Sequence, residues 1–354
     1  MAGLLAAVSM TVLAAGVDSV PAPTAADRAL LLPPISAPED NPTTHAKVEL
    51  GKALFFDPRL SANGTISCAS CHNPALGWSD GLKTGVGING TVLGRATPTI
   101  VNVGFNTQFM WDGRKKSLED QALGPMKTPE EMKTDFNATI RMLENIEGYR
   151  AMFGRAFPGQ AIGEEAIAKA IAAFERTVVS TDSSFDRWLG GDRSAITPQA
   201  WRGYQVFKDP ARGNCAVCHS GSNFTDNGYH NIGIASTDGK PDEGRFKIRP
   251  LPSMRGAFKT PTLRDVALTA PYFHDGSAAT LMDVVEHYAR GGDDKSNLSK
   301  DVRTLNLSAS DKEDLVAFML ALTGRQAQVA LPVLPQPRSH AAAPALIQPT
   351  HSEK

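Results

Sequence analysis

A five-residue motif occurs twice in this chain of 354 residues, and each copy holds two cysteines and a histidine at fixed spacing. Cys68 and Cys71 precede His72, Cys215 and Cys218 precede His219, and these are all four cysteines of the chain. The pattern C-x-x-C-H is the attachment site of a c-type haem, whose iron binds the histidine. The sequence therefore predicts two covalent haem c groups, with His72 and His219 as iron ligands.

Other uses of four cysteines fit this spacing less well. A zinc ribbon needs two C-x-x-C pairs about 15–20 residues apart, whereas these pairs lie far apart in the chain. A redox dithiol belongs in a βαβ context, which the sequence does not show. Two disulfides would suit an exported protein, but they would leave both adjacent histidines unexplained.

Length and charge bound the class of protein. The chain is long enough for two domains, and its net charge of −1 favours neither nucleic-acid nor membrane-surface binding. An apolar run at residues 4–15 is too short to span a bilayer and predicts a signal peptide over residues 1–24. No Lys or Arg precedes the run, so an uncleaved anchor is the alternative. Export and covalent haem together indicate the periplasm.

Helical signals dominate the region between two sparse ends. Residues 25–41 read as an extended lead-in, and residues 326–354 as a disordered tail rich in Pro, Ala and Gln. Apolar spacing predicts helices over Glu164–Val179, from Pro198 to Phe207 after a Thr197 cap, and over Ser308–Leu322 with Ser310 as a plausible cap. No convincing run of strands is present.

An internal repeat precedes the two motifs. Residues 51–58 (GKALFFDP) and 203–210 (GYQVFKDP) match, so each motif follows a helix that ends near Asp-Pro. Two copies predict an all-α fold of two cytochrome c-like haem domains in tandem with long loops. The predicted domains are residues 42–190 and 191–325, with the boundary near Gly190-Gly191.

Four further segments, in this order along the chain, carry a family resemblance. They are Leu60–Cys68, Met110–Arg114, Lys259–Arg264 and Ala270–Gly276. Residues 41–324 resemble the bacterial dihaem cytochrome c peroxidase family, which includes MauG, an enzyme that matures a tryptophan-derived cofactor on a partner protein. The resemblance implies that the N-terminal haem meets hydrogen peroxide and the C-terminal haem transfers electrons.

The resemblance also implies a peroxide site above the N-terminal iron. Gln121, Pro125 and Glu131 have the family spacing, with Glu131 as the proton shuttle, Gln121 orienting the oxygen ligand and Pro125 shaping the pocket. Glu131 could instead belong to the start of a solvated helix after Pro129. Many relatives close this iron with a second histidine, and here Ile88 holds that position.

Methionine or tyrosine ligands complete the two predicted iron sites. The peroxide-side iron is expected to be open, with Met110, Met126 or Met132 as alternative caps. On the electron side, most relatives have a Met eight residues after the position of Thr280, where this chain and MauG have Tyr, here Tyr288. A phenolate favours the oxidised iron more than a thioether does. Met254 is the competing ligand, and neighbouring His287 is expected to face away.

Four other residues receive roles through the resemblance. Trp111 corresponds to a Trp that relays electrons between the haems, whereas Trp78, Trp188 and Trp201 are expected in the core. His274 is expected to support the site. The family binds one calcium between its domains, here through the carbonyls of Thr269 and Pro271. Ala96 replaces the Asn ligand, so that water or Asn102 would have to substitute.

Three functions remain open at this stage. The first is reduction of hydrogen peroxide to water with electrons from a small c-type cytochrome or cupredoxin. The second is MauG-like, peroxide-dependent oxidation of Trp or Tyr residues on a partner protein. The third is a dihaem electron carrier, against which Gln121 and Glu131 argue. We predict a cytochrome c peroxidase-type enzyme, and a homodimer is compatible with the sequence.

Overall fold

A computed structural model describes residues 20–236, 239–326 and 329–338. The α-helices of this part of the chain are α1 (Ala25–Arg28), α2 (His45–Phe55), α3 (Cys68–Cys71), α4 (Leu118–Lys127), α5 (Phe136–Asn145), α6 (Glu147–Ala156), α7 (Glu164–Glu175), α8 (Ser184–Leu189), α9 (Pro198–Lys208), α10 (Leu281–Ala289) and α11 (Ala309–Ala321). The strands are β1 (Ser180–Thr181), β2 (Tyr229–His230), β3 (Phe258–Lys259) and β4 (Arg325–Gln326). Long loops with short 3₁₀ turns connect these elements.

Two matching helix pairs organise the chain. Helix α2 packs on α7, and α9 packs on α11. A Cβ atom on Gly51 would lie 1.9 Å from the Ala170 carbonyl oxygen, and one on Gly203 would lie 1.8 Å from that of Asp314. Each repeat copy therefore needs glycine at the point where its helix touches its partner. The sequence repeat is thus a repeat of one helix crossing.

Each helix pair has its own apolar core. In the first, the rings of Phe55 and Phe174 lie 5.2 Å apart between centroids, and in the second those of Phe207 and Phe318 lie 5.0 Å apart. One buried cluster draws its fully buried members from residues 50–178, and the other from residue 20 and residues 185–322. Phe185, Trp188 and Leu189 of the second cluster precede the predicted boundary at Gly190, so the change of core falls between residues 178 and 185. The domain boundary itself stays a prediction.

The fold is mostly helical, with a small addition of strands that the all-α prediction lacked. Strands β1 and β4 pair antiparallel, as do β2 and β3, and each strand has only two residues. The β1–β4 pair joins the segment after α7 to the segment after α11, so it links distant parts of the chain. Within the described ranges, no helix has the length and apolar character needed to cross a membrane.

The three helices expected from apolar spacing are present with small differences. Helix α9 begins at Pro198 with the Thr197 side chain as its cap, as predicted. Helix α7 ends at Glu175, four residues before the predicted end. Helix α11 is capped by Ser308 in a capping box with Asp311, so the prediction of Ser310 as the cap was wrong.

The ends of the described chain pack on the two halves. The Pro21 carbonyl accepts a hydrogen bond from Trp188 Nε1 at 2.9 Å, so a signal peptide ending at residue 24 would remove this contact. Residues 1–19 of the predicted signal peptide lie outside the described residues. The lead-in contains the short helix α1, and the Asp27 carboxylate accepts a hydrogen bond from the Tyr204 hydroxyl at 2.6 Å.

Part of the predicted disordered tail has a defined position. Leu334 packs on the first core, and the Pro335 carbonyl accepts a hydrogen bond from Arg59 at 2.9 Å. Arg338 forms a 2.6 Å ion pair with Glu147. For residues 329–338 the expectation of disorder is therefore not met, because contacts to the first half hold this stretch. Residues 339–354 lie outside the described chain.

Candidate active site

One continuous cavity of about 810 Å³ reaches both C-x-x-C-H motifs. Its walls are mainly apolar and include the four cysteines and the two motif histidines. All four cysteines are free thiols in this structure, so the disulfide alternative is not met. A large apolar cavity with thiols and imidazoles in place fits a flat macrocycle such as a porphyrin in each half.

The two motif histidines are held in the same way. His72 Nδ1 donates a hydrogen bond to the Trp78 carbonyl at 3.1 Å, and His219 Nδ1 donates one to the Phe224 carbonyl at 3.1 Å. Both accepting residues have positive φ angles, 59° and 50°. A carbonyl on Nδ1 leaves Nε2 unprotonated for a metal. Burial lowers the pKa of His219 to about 4 and also lowers that of His72.

Glu131 lies on the cavity wall near the first motif. It is half-buried, whereas its neighbour Glu130 is exposed. Burial raises the pKa of the Glu131 carboxyl, Glu130 adds to the rise, and Arg114 opposes it. Residues 129–132 form a turn, so the alternative that Glu131 belongs to the start of a helix was wrong. A half-buried acid with a raised pKa keeps its proton to a higher pH than an exposed glutamate does, which suits a proton-transfer group.

Gln121 and Pro125 lie one turn apart on α4, and both line the cavity. The Gln121 side-chain amide donates to Met110 Sδ at 3.9 Å, which turns the amide toward the Met110 loop. The Met132 backbone N–H donates to the Pro125 carbonyl at 3.1 Å, so the turn that carries Glu131 is tied to α4. Local hydrogen bonds therefore bring Gln121, Pro125 and Glu131 to the same cavity.

The loop at the position of the missing second histidine is fixed beside this site. Ile88 is buried, and its N–H donates to the Glu131 carbonyl at 2.8 Å. Of the three methionines considered as caps, Met126 is fully buried in the core and does not line the cavity, whereas Met110 and Met132 do. The Ile88 position therefore supplies no donor atom to the iron position beside His72.

Tyr288 on α10 lines the cavity that contains His219. Burial raises the pKa of the Tyr288 phenol, and the neighbouring Cys215 and Cys218 add to the rise. His287 faces away, as predicted, because its ring nitrogens bond to the Asp293 carboxylate at 3.0 Å and to the Ile232 carbonyl at 2.8 Å. Met254, the competing ligand, does not line the cavity.

A second internal repeat, missed in the sequence, aligns Tyr288 with Pro125. In the first half Ser117 caps α4, and in the second Thr280 caps α10. Five residues before each cap lies an Asp-Gly turn whose glycine has a φ of 63°. Pro125 and Tyr288 each follow their cap by eight residues. Tyr288 therefore presents a phenol in the half that contains His219. At the equivalent position in the half that contains His72, Pro125 has no donor atom.

Trp111 and His274 are equivalent in this repeat and meet at the junction of the two halves. Their ring centroids lie 6.4 Å apart with the rings nearly perpendicular. The Ala96 N–H donates to the His274 carbonyl at 2.7 Å, and the Lys259 N–H donates to the Trp111 carbonyl at 2.8 Å. This reciprocal pair of bonds joins the Trp111 segment of the first half to the His274 segment of the second. Of the other tryptophans, Trp78 and Trp188 are buried and Trp201 is half-buried beside the second core.

The residues predicted to bind calcium come together only in part. Ala96, Thr269 and Pro271 all line the cavity. The Ala96 carbonyl is already the acceptor for Trp111 Nε1 at 2.8 Å. The Asn102 side chain is bound to the backbone of Ser180, which donates to its Oδ1 at 3.0 Å. Asn102 therefore does not supply the missing ligand.

Lys259 and Glu175 are two of the charged residues on the cavity wall to which the sequence assigned no role. Lys259 lines the cavity, and burial lowers the pKa of its ammonium to about 8. A cation there suits an anionic group such as a porphyrin carboxylate. Glu175 also lines the cavity and is nearly inaccessible to solvent. Lys259 lies in a family segment that assigns it no role, and Glu175 lies in none of the quoted segments. Only the packing of the chain shows that both line the cavity.

Comparison with known proteins agrees with this geometry. A sequence model described as di-haem cytochrome c peroxidase matches residues 45–194. The methylamine utilization protein MauG of Methylorubrum extorquens is 45% identical over 301 residues, which cover 84% of each protein. The cytochrome c551 peroxidase of Nitrosomonas europaea is 37% identical over 81% of this chain and 83% of the relative. The chain belongs to the di-haem cytochrome c peroxidase family.

A solved member with the same fold supports this assignment. A MauG-like protein associated with microbial copper homeostasis superposes with a TM-score of 0.78 at 33% identity, over 83% of this chain and 93% of the other. As a di-haem cytochrome c peroxidase family member, the chain is an oxidoreductase. Its cavity, with both C-x-x-C-H motifs in the wall, is the candidate site for that chemistry.

Proposed function

We propose that this protein is a peroxidase that reduces hydrogen peroxide to water at the His72 side and receives electrons through the His219 side. The observation that carries this proposal is the asymmetry of the cavity. The two halves repeat each other closely, yet the position of Tyr288 near His219 is occupied by Pro125 near His72. The half in which Pro125 takes the place of this tyrosine is also the half that holds Glu131.

The proposed cofactors are two haem c groups, one in each tandem domain, 42–190 and 191–325. Cys68 and Cys71 would hold the first and Cys215 and Cys218 the second by thioether bonds, with His72 and His219 on the irons. A bound haem supplies an iron that exchanges electrons with peroxide and with the donor. We expect a pyridine haemochrome assay to count two covalent haems per chain, and a count of one or none would contradict the assignment.

The roles of the protein groups follow from their positions. Glu131 takes the proton from the near oxygen of peroxide and delivers it to the leaving oxygen, for which its raised pKa suits it. Gln121 would orient peroxide by hydrogen bonding, and Pro125 offers no donor atom at the position that Tyr288 occupies in the other half. Trp111 passes electrons between the halves from its place at their junction.

The proposed electron donor is a small c-type cytochrome or a cupredoxin in the periplasm. Val217, between the two cysteines of the second motif, lines the cavity and is 46% exposed. An exposed side chain at the cofactor edge brings a donor close to the second haem. The near-neutral charge of the chain, −1, does not demand a strongly charged donor.

A second candidate function is peroxide-dependent oxidation of Trp or Tyr residues on a partner protein. Tyr288 favours it, because a phenolate ligand stabilises oxidised iron and so suits a centre that holds an oxidising equivalent. The identity of 45% to a MauG protein supports the same function.

One mixing experiment separates the two functions. Oxidised protein is mixed with one equivalent of hydrogen peroxide, its spectrum is followed, and a reduced small cytochrome is then added. For the peroxidase we expect fast oxidation of the cytochrome and rapid return of the resting spectrum. A long-lived oxidised state that the cytochrome discharges slowly would favour oxidation of a protein partner instead.

Calcium remains a proposal with two protein ligands, the carbonyls of Thr269 and Pro271. A hard cation of this kind takes six to eight oxygen ligands. Since Ala96 has no side-chain oxygen and Asn102 is bound to Ser180, water must supply the rest. Calcium binding is therefore expected to be weak.

A further inference from the structure

Glu175 is a buried carboxyl on the wall of the cavity that has no role in the proposed reaction. It is the last residue of α7, next to Phe174, which packs on Gly51 of α2. Its side chain lines the cavity, only 4% of the residue is exposed, and its Oε2 atom has no hydrogen-bond partner among the described residues. Burying a carboxyl without a full set of partners costs free energy, so packing alone does not explain it.

The internal repeat shows what a purely packing residue at this position looks like. Phe318 packs on Gly203 as Phe174 packs on Gly51. The residue after Phe318 is Met319, which lines the cavity in the second half. Leu315, one helical turn earlier on α11, lines it as well. In the first half the same two places are Ile171 and Glu175. At this pair of equivalent positions the first half has an ionisable group and the second does not. Glu175 lies close enough to the first motif for its charge to raise the pKa of Cys68.

The charged groups around Glu175 come from three elements. On its own chain, Arg176 follows directly and forms a 2.7 Å ion pair with Glu119 of α4. Glu119 also accepts a hydrogen bond from Asn41, which in turn binds Lys47 of α2. Burial raises the pKa of Glu175 to about 8, Glu119 adds to the rise, and Arg176 opposes it. The Glu175 carboxyl therefore holds its proton more tightly than an exposed glutamate does, and its Oε2 atom faces no partner among the described residues that would fix its charge state.

We propose that Glu175 couples proton binding to electron transfer at the His72-side haem. The Glu175 carboxylate would take up one proton from solvent on one-electron reduction of a haem bound at His72, and would release that proton to solvent on reoxidation by loss of the electron. The inference rests on the proposed haem at His72. A carboxylate stabilises the oxidised centre, which carries one more positive charge, and in an apolar cavity this interaction is strong. In the oxidised protein the Glu175 carboxylate would balance the added positive charge, and in the reduced protein the protonated carboxyl would be neutral. Neither state would then bury an unbalanced charge.

The test is the pH dependence of the reduction potential in the intact two-haem protein. The potential is titrated spectroscopically at pH values on both sides of neutral, following the haem bound at His72. In the unmodified protein we expect the potential to fall as pH rises, by up to about 59 mV per pH unit for one electron and one proton. Glu175→Gln keeps the shape of the side chain and loses its ionisation. In this variant the potential should equal that of the unmodified protein at low pH, and the slope with pH should be lost.

Three variants serve as controls. Glu175→Met copies Met319 of the other half, so it should fold and should also lose the slope. Glu119→Gln removes the other carboxylate beside Arg176, but Glu119 does not line the cavity. The slope should therefore remain, at a lower pH, because Glu119 no longer raises the pKa of Glu175. Glu131→Gln removes the acid on the peroxide side, and the slope should again remain.

The outcomes separate this inference from the proposed function. An unchanged slope in Glu175→Gln or Glu175→Met, with both haems bound, would overturn the inference and leave the peroxidase intact. Loss of the slope in Glu119→Gln or Glu131→Gln would assign the coupling to another group and would also overturn it. Absence of haem at His72 in the unmodified protein would instead overturn the proposed function itself.

Discussion

Replacing Glu131 by glutamine is expected to slow the cleavage of hydrogen peroxide by about 10²–10⁴-fold, the usual contribution of one positioned acid–base group. Glutamine has nearly the same size but cannot carry a proton from one peroxide oxygen to the other. Both haems should stay bound, since Glu131 belongs to neither motif. Stopped-flow spectroscopy with excess peroxide measures the rate of the first spectral change.

The chain offers a matched control for this variant in the preceding residue. Glu130 lies in the same turn but is exposed, so Glu130→Gln changes the local charge equally and should alter the rate far less. Because burial raises the pKa of Glu131, the rate should fall with decreasing pH earlier than it would for an ordinary glutamate. Equal rates for the two variants would remove Glu131 from the mechanism.

The features that the sequence predicts well are those set by local chemistry. The motifs of Cys68–His72 and Cys215–His219 predict haem c because covalent attachment needs two thiols and an imidazole within five residues. Membership of the di-haem family agrees with haem as the cofactor, and the covalent attachment stays a prediction. The start of α9 could be predicted because a cap and a first-turn proline are both local. Gln121, Pro125 and Glu131 share the cavity because a helix and one turn hold them within eleven residues.

The features that were missed depend on contacts between distant parts of the chain. Composition alone made residues 329–338 look disordered, yet Leu334 packs on a core formed some 150 residues or more earlier in the chain. Asn102 appeared available as a calcium ligand, but Ser180 already uses its amide oxygen. Glu175 lay within a predicted helix, and only the crossing of α7 and α2 shows that its carboxyl reaches the cavity.

The second repeat illustrates a different limit. Thr97-Pro98-Thr99 and Thr260-Pro261-Thr262 match in sequence, and each segment precedes one of the Asp-Gly turns. A comparison of the two halves could have found this match. That comparison could not have shown that the Trp111 carbonyl accepts a hydrogen bond from Lys259 and the His274 carbonyl one from Ala96. These bonds depend on how the two halves are placed against each other.

Tyr288→Met is expected to raise the reduction potential of the second haem by on the order of 0.1 V or more, within the range of about 0.8 V that axial ligands span. A neutral thioether stabilises reduced iron relative to a phenolate. The internal repeat strengthens this expectation, since Tyr288 and Pro125 occupy equivalent places and only the tyrosine offers a donor atom. Spectroelectrochemical titration measures the potential, and electron donation from a small cytochrome should become faster.

Two further variants show whether ligation causes the shift. Tyr288→Phe keeps the ring and removes the oxygen, so it should convert the second haem to a spectrum without a sixth ligand. Val284→Met places a thioether in the same cavity one turn earlier on α10 and should leave the potential near that of the unmodified protein. If Tyr288→Met and Val284→Met give the same potential, Tyr288 is not a ligand, and the asymmetry between the two irons must come from another residue.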